Sequence, residues 1–268
     1  MSKSGINRKP FAWIAAGVLL QATTTFATVD AASDGDDQWQ FGATLYLWTP
    51  DIDAKTQGDT DVDISFNKIY KNLDMAFMGN FEGRKGKWSF LLDEVYLDLS
   101  NSESGSFEGP ILGINWDLDL DVSLKASITT LAGGYNVFDK DGTTFDLIAG
   151  TRYTWIEVDA KLKANSSGGP PPAVSRRLKE SESDGNWDAI VGGRGQVGVN
   201  ANWYLPYYLD FGGGQSDLTW QVMAGVGYKY GWGDVSLVYR YLDYQFDSDY
   251  LLNELTVKGP VFGATFRF

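Results

Sequence analysis

Val261-Phe262-Gly263-Ala264-Thr265-Phe266-Arg267-Phe268 closes the chain with an apolar side chain at every second place: Phe262, Ala264, Phe266 and Phe268. A period of two is that of a β-strand with one greasy face and one mixed face. The same alternation runs through Leu218, Trp220, Val222, Ala224, Val226, Tyr228 and Tyr230, and it recurs in 118–138 and 145–155. Soluble sandwiches alternate too, so the period alone leaves open whether these faces meet a protein core or lipid.

Length and connections decide. Several alternating runs reach ten or more residues, the span of a tilted membrane strand, whereas sandwich strands are mostly ~5–6 residues long. The connections at 84–87, 139–143, 200–202 and 231–234 are tight. Those at 50–72, 101–117, 160–186 and 247–255 are long and polar. Short and long connections alternate along the chain, the short link 212–217 excepted, as they do when turns face the periplasm and loops face outward.

Composition agrees. The chain has 268 residues with 31 Gly, 10 Trp, 14 Tyr, 15 Phe, no His and no Cys. That glycine content fits turn-rich β architecture rather than a helical bundle. Without histidine there is no Ser-His-Asp triad and no HExxH zinc site. Without cysteine there is no disulfide and no thiolate nucleophile. A formal net charge of −13 argues against nucleic acid as a partner, since that affinity rests on Lys and Arg neutralising phosphates.

The N-terminus reads as a signal peptide over residues 1–31. Lys3, Arg8 and Lys9 precede an apolar core from Phe11 to Leu20, followed by small residues around Ala27 and Ala31. That core is too short for a bilayer-spanning helix. Residues 32–268 then form one exported, acidic barrel domain.

The terminal Phe268 with aromatic residues at alternate positions before it resembles the C-terminal signature of Gram-negative outer membrane β-barrel proteins. The stretches Leu73-Asp74-Met75-Ala76-Phe77-Met78-Gly79, Tyr96-Leu97-Asp98-Leu99-Ser100 and Gly150-Thr151-Arg152-Tyr153 are similar to uncharacterised proteobacterial members of that class. The resemblance implies a closed antiparallel transmembrane barrel and no particular activity. It also implies outer membrane lipids, lipopolysaccharide and the barrel assembly machinery as partners, with Phe262, Phe266 and Phe268 as the assembly signal.

Ten strands are expected, near 39–49, 73–83, 88–99, 118–138, 143–159, 187–199, 203–211, 218–230, 235–246 and 256–268. Eight or twelve stay open, because 51–66 can extend the first strand and 101–117 can hide further pairing. A Trp232-Gly233 turn sets Tyr230 opposite Val235 and Gly225 opposite Arg240. A Lys85-Gly86 turn sets Phe81 opposite Phe90, Met78 opposite Asp93, and Glu94 on the lipid face opposite Phe77, where a bulge or a place near the interface is expected. Ser65 is expected to cap a short helix with Phe66, Ile69, Tyr70 and Leu73 on one face.

Other motifs carry little chemistry. Gly193-Arg194-Gly195-Gln196-Val197-Gly198 spells GxGxxG, but a turn and a strand follow instead of the helix that such a motif needs. Asp59, Asp61 and Asp63 alternate as in a calcium loop, yet Tyr70 stands where the closing Glu belongs. Ser166 to Pro172 reads as an exposed loop tip.

The expected register sends Lys125, Arg152, Arg194, Lys229, Arg240 and Arg267 into the lumen with Glu82, Asp93, Asp119, Asp121, Asp146, Asp188 and Asp210. A barrel this narrow is nearly filled by its own side chains, so paired charges close it. The alternative is a thin porin-like path in which Arg152, Arg194 and Arg240, near mid-depth, select small anionic solutes, with Asp146, Asp210 and Glu82 nearer the strand ends. The expected function is an integral outer membrane barrel with a structural, surface-interaction or narrow-channel role, no enzyme and no cofactor or metal. A histidine-free outer membrane enzyme acting on lipid or glycan through a carboxylate pair is the alternative.

Overall fold

The structure, a computed structural model, describes residues 38–56, 61–108, 115–167, 175–246 and 252–268. The signal-peptide segment and Asp59 lie outside them, as does the expected loop tip from 168 on; its first residues, Ser166 and Ser167, instead end a strand. In chain order the elements are β1 (Gln40–Trp48), β2 (Asp51–Thr56), β3 (Asp61–Ile64), α1 (Phe66–Lys71), β4 (Leu73–Lys85), β5 (Trp88–Glu108), β6 (Asn115–Lys140), β7 (Thr143–Ser167), β8 (Ser175–Gly198), β9 (Trp203–Gly214), β10 (Ser216–Tyr230), β11 (Gly233–Phe246) and β12 (Leu252–Arg267).

Consecutive strands from β4 to β12 pair antiparallel, and β1 joins β4 on one side and β12 on the other, so the sheet closes on itself. β12 pairs with β1 as far as Val261↔Trp48 and resumes with β2 at Lys258↔Asp51. These two pieces are therefore one wall strand, interrupted at Thr49-Pro50, where proline has no N–H to give the ladder. Among the described residues β3 pairs only with β2, as a hairpin. The wall thus has ten strands. The extension expected within 51–66 is β2.

Both tested hairpins keep their expected faces but shift register by two residues. Lys85 pairs with Trp88, so Gly86 and Lys87 form the turn, and Gly86 takes φ 56, a place suited to glycine. Phe81 then faces Leu92, Met78 faces Val95 and Phe77 faces Tyr96. Tyr230 pairs with Gly233, so Gly231 and Trp232 turn, while Gly225 faces Val238 and Arg240 faces Met223. Gly233 belongs to the strand, pairing with Phe266, where glycine permits the close approach of the Thr265 carbonyl oxygen, 1.9 Å from where a Cβ would lie. Asp141 and Gly142, at φ 53 and 74, make the Asp-Gly turn of β6–β7.

Two of the long polar connections are largely strand. β5 and β6 stay paired to Glu108↔Asn115, and β7 and β8 to Asn165↔Ser175. Strands β5–β8 therefore run on beyond the wall, since β4 stops at Leu73↔Leu99 and β9 at Gly214↔Asp188. The short helix α1 forms where expected, but its face differs. Ile69 is buried while Tyr70 is exposed, and Leu73 already belongs to β4. Ser65 makes no side-chain cap; Asp51 Oδ1 instead accepts the Phe66 N–H at 2.9 Å. No described helix is long and apolar enough to cross a membrane.

The outer wall is apolar, with Leu45, Leu131, Leu147, Val191, Phe211, Tyr239, Phe262 and Phe266 all exposed. Aromatic contacts ring it at two levels. Trp88–Tyr135, Trp203–Tyr228 and Trp232–Phe266 lie at the turn end, and Tyr153–Trp187 and Trp220–Tyr241 at the other. From Tyr228 to Trp220 the strand rises roughly 26 Å, which a tilt of ~40° reduces to about 20 Å, close to the height of a barrel's lipid-facing band. Glu94 points outward just inside the second ring, opposite Gly79 and without a bulge. It accepts hydrogen bonds from Ser127 and Thr129 at 2.7 and 2.6 Å.

Candidate functional site

Among the described residues, the lumen gathers the charged side chains that lie away from water. Strand alternation sends Glu82, Arg84, Asp93, Asp146, Arg152, Asp188, Arg194, Asp210, Lys229, Asp234, Arg240 and Arg267 inward. Charge inside a narrow bore is costly unless paired and hydrogen-bonded. Each of Arg84, Arg152, Arg194, Arg240 and Arg267 accordingly touches a carboxylate.

At the turn end, Asp234 accepts from the Tyr204 hydroxyl and pairs with Arg267, and Lys229 lies 5.4 Å from the Tyr204 ring centre. On the facing wall Arg194 makes two hydrogen bonds to Glu82, at 3.0 and 2.7 Å. Arg84 bonds Asp146, which also accepts from Asn136 at 2.8 Å.

Higher up are two arginine centres. Arg152, 0% exposed, donates to Asp210, also 0% exposed, and to the hydroxyls of Thr130 and Thr219 at 3.3 and 3.2 Å. Tyr208 donates to the same Asp210 at 2.6 Å. Arg240, 2% exposed, donates to Gln221 at 2.8 Å and to Tyr46 at 3.2 Å, pairs with Asp93 at 3.1 Å, and lies 4.5 Å from the Trp48 ring centre. Tyr46 in turn donates to Asp93 at 2.8 Å.

These bonds cross the bore. Glu82 on β4 and Arg194 on β8 are four strands apart around the wall, as are Asp93 on β5 and Arg240 on β11. Above them Asn186 donates to Asp188 and Ser216, Thr154 and Tyr244 share a hydrogen bond of 2.6 Å, and Leu242, Tyr244 and Phe246 pack with Met78, Val95 and Ile128. A polar zone is thus capped by an apolar one.

Of the sequence candidates, Glu82, Asp93, Arg152, Arg194, Lys229 and Arg240 meet in this lumen. Lys125 does not. β6 alternates without a break from buried Ile128 upwards, so Lys125, an odd number of residues away, lies on the outer face beside Glu157 at 4.0 Å. Asp119 and Asp121 share that outer parity. Two depth assignments also fail. Asp210 sits with Arg152 in mid-bore, and Arg194 stands opposite Asp146, nearer the turn end than Arg152. Gly193 to Gly198 is plain strand, where Gly195 allows close approach to the Thr144 carbonyl. Sequence reasoning missed Tyr46, Trp48, Arg84 and Asp234; the alternation Leu45, Tyr46, Leu47, Trp48 was the signal for the first two, and Arg84 falls in the expected 84–87 turn although it continues β4.

Phe262, Phe266 and Phe268 all point outward. Phe268 and Phe41 exchange backbone hydrogen bonds of 2.9 and 3.0 Å across the seam of the barrel.

No family model matches the chain, and no curated protein does. Solved structures similar to it include Ail, the attachment invasion locus protein of Yersinia pestis, at 12% identity over 87% of this chain and 99% of that one, with a TM-score of 0.33. The outer membrane protease OmpT of Escherichia coli is similar at 12% identity over 89% and 99%, with a TM-score of 0.46. The translocator domain of the autotransporter NalP from Neisseria meningitidis follows at 12% over 89% and 90%, with a TM-score of 0.40. The closed ten-stranded wall, apolar band and aromatic rings are the architecture of Gram-negative outer membrane β-barrels. At these identities the likeness concerns the fold, and no activity is carried over from these proteins.

Proposed function

We propose that the chain is an integral outer membrane barrel whose bore is closed by its own side chains and whose role is to hold the β5–β8 sheet at the cell surface, a surface-interaction role. Export through a cleaved signal peptide, with tight turns toward the periplasm and the long strands outside, completes this reading. One observation carries it: Arg152, Asp210 and Arg240 sit in mid-bore at 0–2% exposure, bonded across to other strands. The arginines that would attract a small anion are each already matched by a carboxylate, which favours a filled lumen over an anion path. The lumen carboxylates are likewise engaged by arginine, tyrosine or asparagine, which favours scaffold over hydrolysis. Protein reconstituted in a planar lipid bilayer should show little or no conductance. A large, unselective pore would contradict the closed bore.

A further inference from the structure

Beyond the wall, β5–β8 form a sheet with two unlike faces. The outer face is polar and self-compensated: Lys163 pairs with Asp121 at 3.2 Å, Lys179 with Asp159 at 3.9 Å and Lys125 with Glu157 at 4.0 Å. The other face continues the lumen side, and its two central strands carry only apolar residues over several pleats. Leu120 and Val122 on β6 are 41% and 36% exposed, and Leu178 on β8 is 65% exposed; Val158 and Leu162 on β7 complete the surface. A sheet face of this kind outside a membrane normally packs against another element. Along its β8 border the same face carries Glu180, Glu182 and Asp184, and neither Glu180 nor Glu182 has an ion-pair partner among the described residues.

We propose that this face docks a cationic amphipathic peptide helix, its apolar side against Leu120, Val122, Val158 and Leu162 and its basic side along Glu180, Glu182 and Asp184. This deepens the surface-interaction reading above and rests on it. The spacings agree. Alternate residues of a strand recur about every 6.6 Å, and basic residues four apart on a helix about every 6.0 Å. The neighbouring strands lie one to two inter-strand steps of ~4.8 Å from the acidic row, within the width of a helix. Charge selects the occupant. An anionic lipid headgroup would meet the carboxylates. A second copy, with net charge −13, would set two acidic rows together. Recognition then follows helix-in-groove logic, with charge setting which sequences are accepted.

The test uses the whole protein in phosphatidylcholine nanodiscs and a fluorescently labelled Leu/Lys amphipathic helix, read by anisotropy against empty nanodiscs. Saturable binding is expected for the Leu/Lys helix and not for a Leu/Glu helix of the same pattern. E180Q/E182Q/D184N should weaken it roughly tenfold and flatten its salt dependence. L178D should weaken it at every salt concentration. L178D changes an exposed side chain, so it remains informative if a variant at Leu120 fails to fold. Equal binding of both helices, or binding unchanged in both variants, overturns the proposal. Dimerisation in sedimentation that L178D abolishes gives the face to a second copy and also overturns it. Protease accessibility of the sheet on intact cells separates the two readings: protection there defeats the surface role, while loss of peptide binding defeats only the docking.

Discussion

Phe268 closes the barrel on Phe41: each backbone N–H donates to the other's carbonyl, at 3.0 and 2.9 Å, and the two rings lie 6.1 Å apart. The last residue is thus a seam residue. Deleting Phe268 or changing Phe266→Asp should cause periplasmic accumulation and degradation, while Thr265→Asp, on the lumen face beside the Thr44 hydroxyl, should be milder. A charge on the lipid face costs up to about 2–4 kcal/mol at mid-bilayer for Arg or Lys and less for Asp. Cell fractionation with heat-shifted gel migration reads the result; equal defects would refute the assigned faces.

Arg152 and Asp210 are both wholly enclosed, so removing one leaves the other charge without its partner. Asp210→Ala should cost about 3–5 kcal/mol in urea unfolding, and the double change Arg152→Met, Asp210→Leu should recover most of that. A loss in the single variant below about 1 kcal/mol would place the pair in water instead.

Arg194→Ala with Arg240→Ala takes the arginine from Asp93 and leaves Glu82 only the weaker contact with Arg84 at 3.5 Å. In a closed bore, thermal stability should fall with conductance unchanged. A fall in anion selectivity in the same bilayer recordings would instead support a conducting path.

Two glycines give opposite expectations. A Cβ on Gly227 would lie 2.1 Å from the Tyr204 ring, whereas one on Gly231 meets nothing within 4 Å. Gly227→Ala should displace the Tyr204–Asp234 hydrogen bond and lower the melting temperature. Gly231→Ala, in an open turn, should be neutral within about 0.5 kcal/mol. Melting of the two variants side by side checks this, and equal shifts would refute the packing.

Outside the membrane band, the Ser102 hydroxyl and then Lys163 hold the Asp121 carboxyl below its ordinary range, and the Ser181 hydroxyl and then Lys179 do so for Asp159. A folded value below the unfolded one means these contacts stabilise fully above the ordinary carboxylate pKa of ~4 and are lost as pH falls below it. Amide exchange at 117–123 and 159–163, corrected for intrinsic rates, should be unchanged from pH 7 to about pH 5 and rise below about pH 4. The barrel wall should stay protected.

Faces were legible in the sequence because parity needs only local counting. Phe262, Phe266 and Thr265 fall on the sides that alternation assigns, and a register error of two residues at Gly86 or Gly231 leaves those sides intact. Depth was not legible. Arg152 and Asp210 are on strands that are not neighbours, and their shared level depends on the stagger of the whole wall. Lys125 went astray because one miscounted step inverts a whole strand. The β5–β8 extension reads as loop over 101–117 and 160–186 because Ser, Glu, Lys and Gly crowd those stretches, although Leu120 and Val122, in the strand expected from 118, already keep the beat that continues into it.

The bonds that cross the bore also constrain the order of assembly. Glu82 and Arg194 are 112 positions apart in the chain, and Tyr46 and Arg240 are 194 apart. Neither pair can form within a single hairpin: the first needs the five strands from β4 to β8 curved round the bore, and the second needs β1 closed on β12. Local hairpins zip quickly, but contacts this distant are gained only after a large loss of chain entropy. A partly inserted chain would hold arginines and carboxylates facing apolar surroundings with no partner. Barrel closure and completion of the interior are therefore one late kinetic step, and the unclosed intermediate is the species a chaperone or a protease would meet.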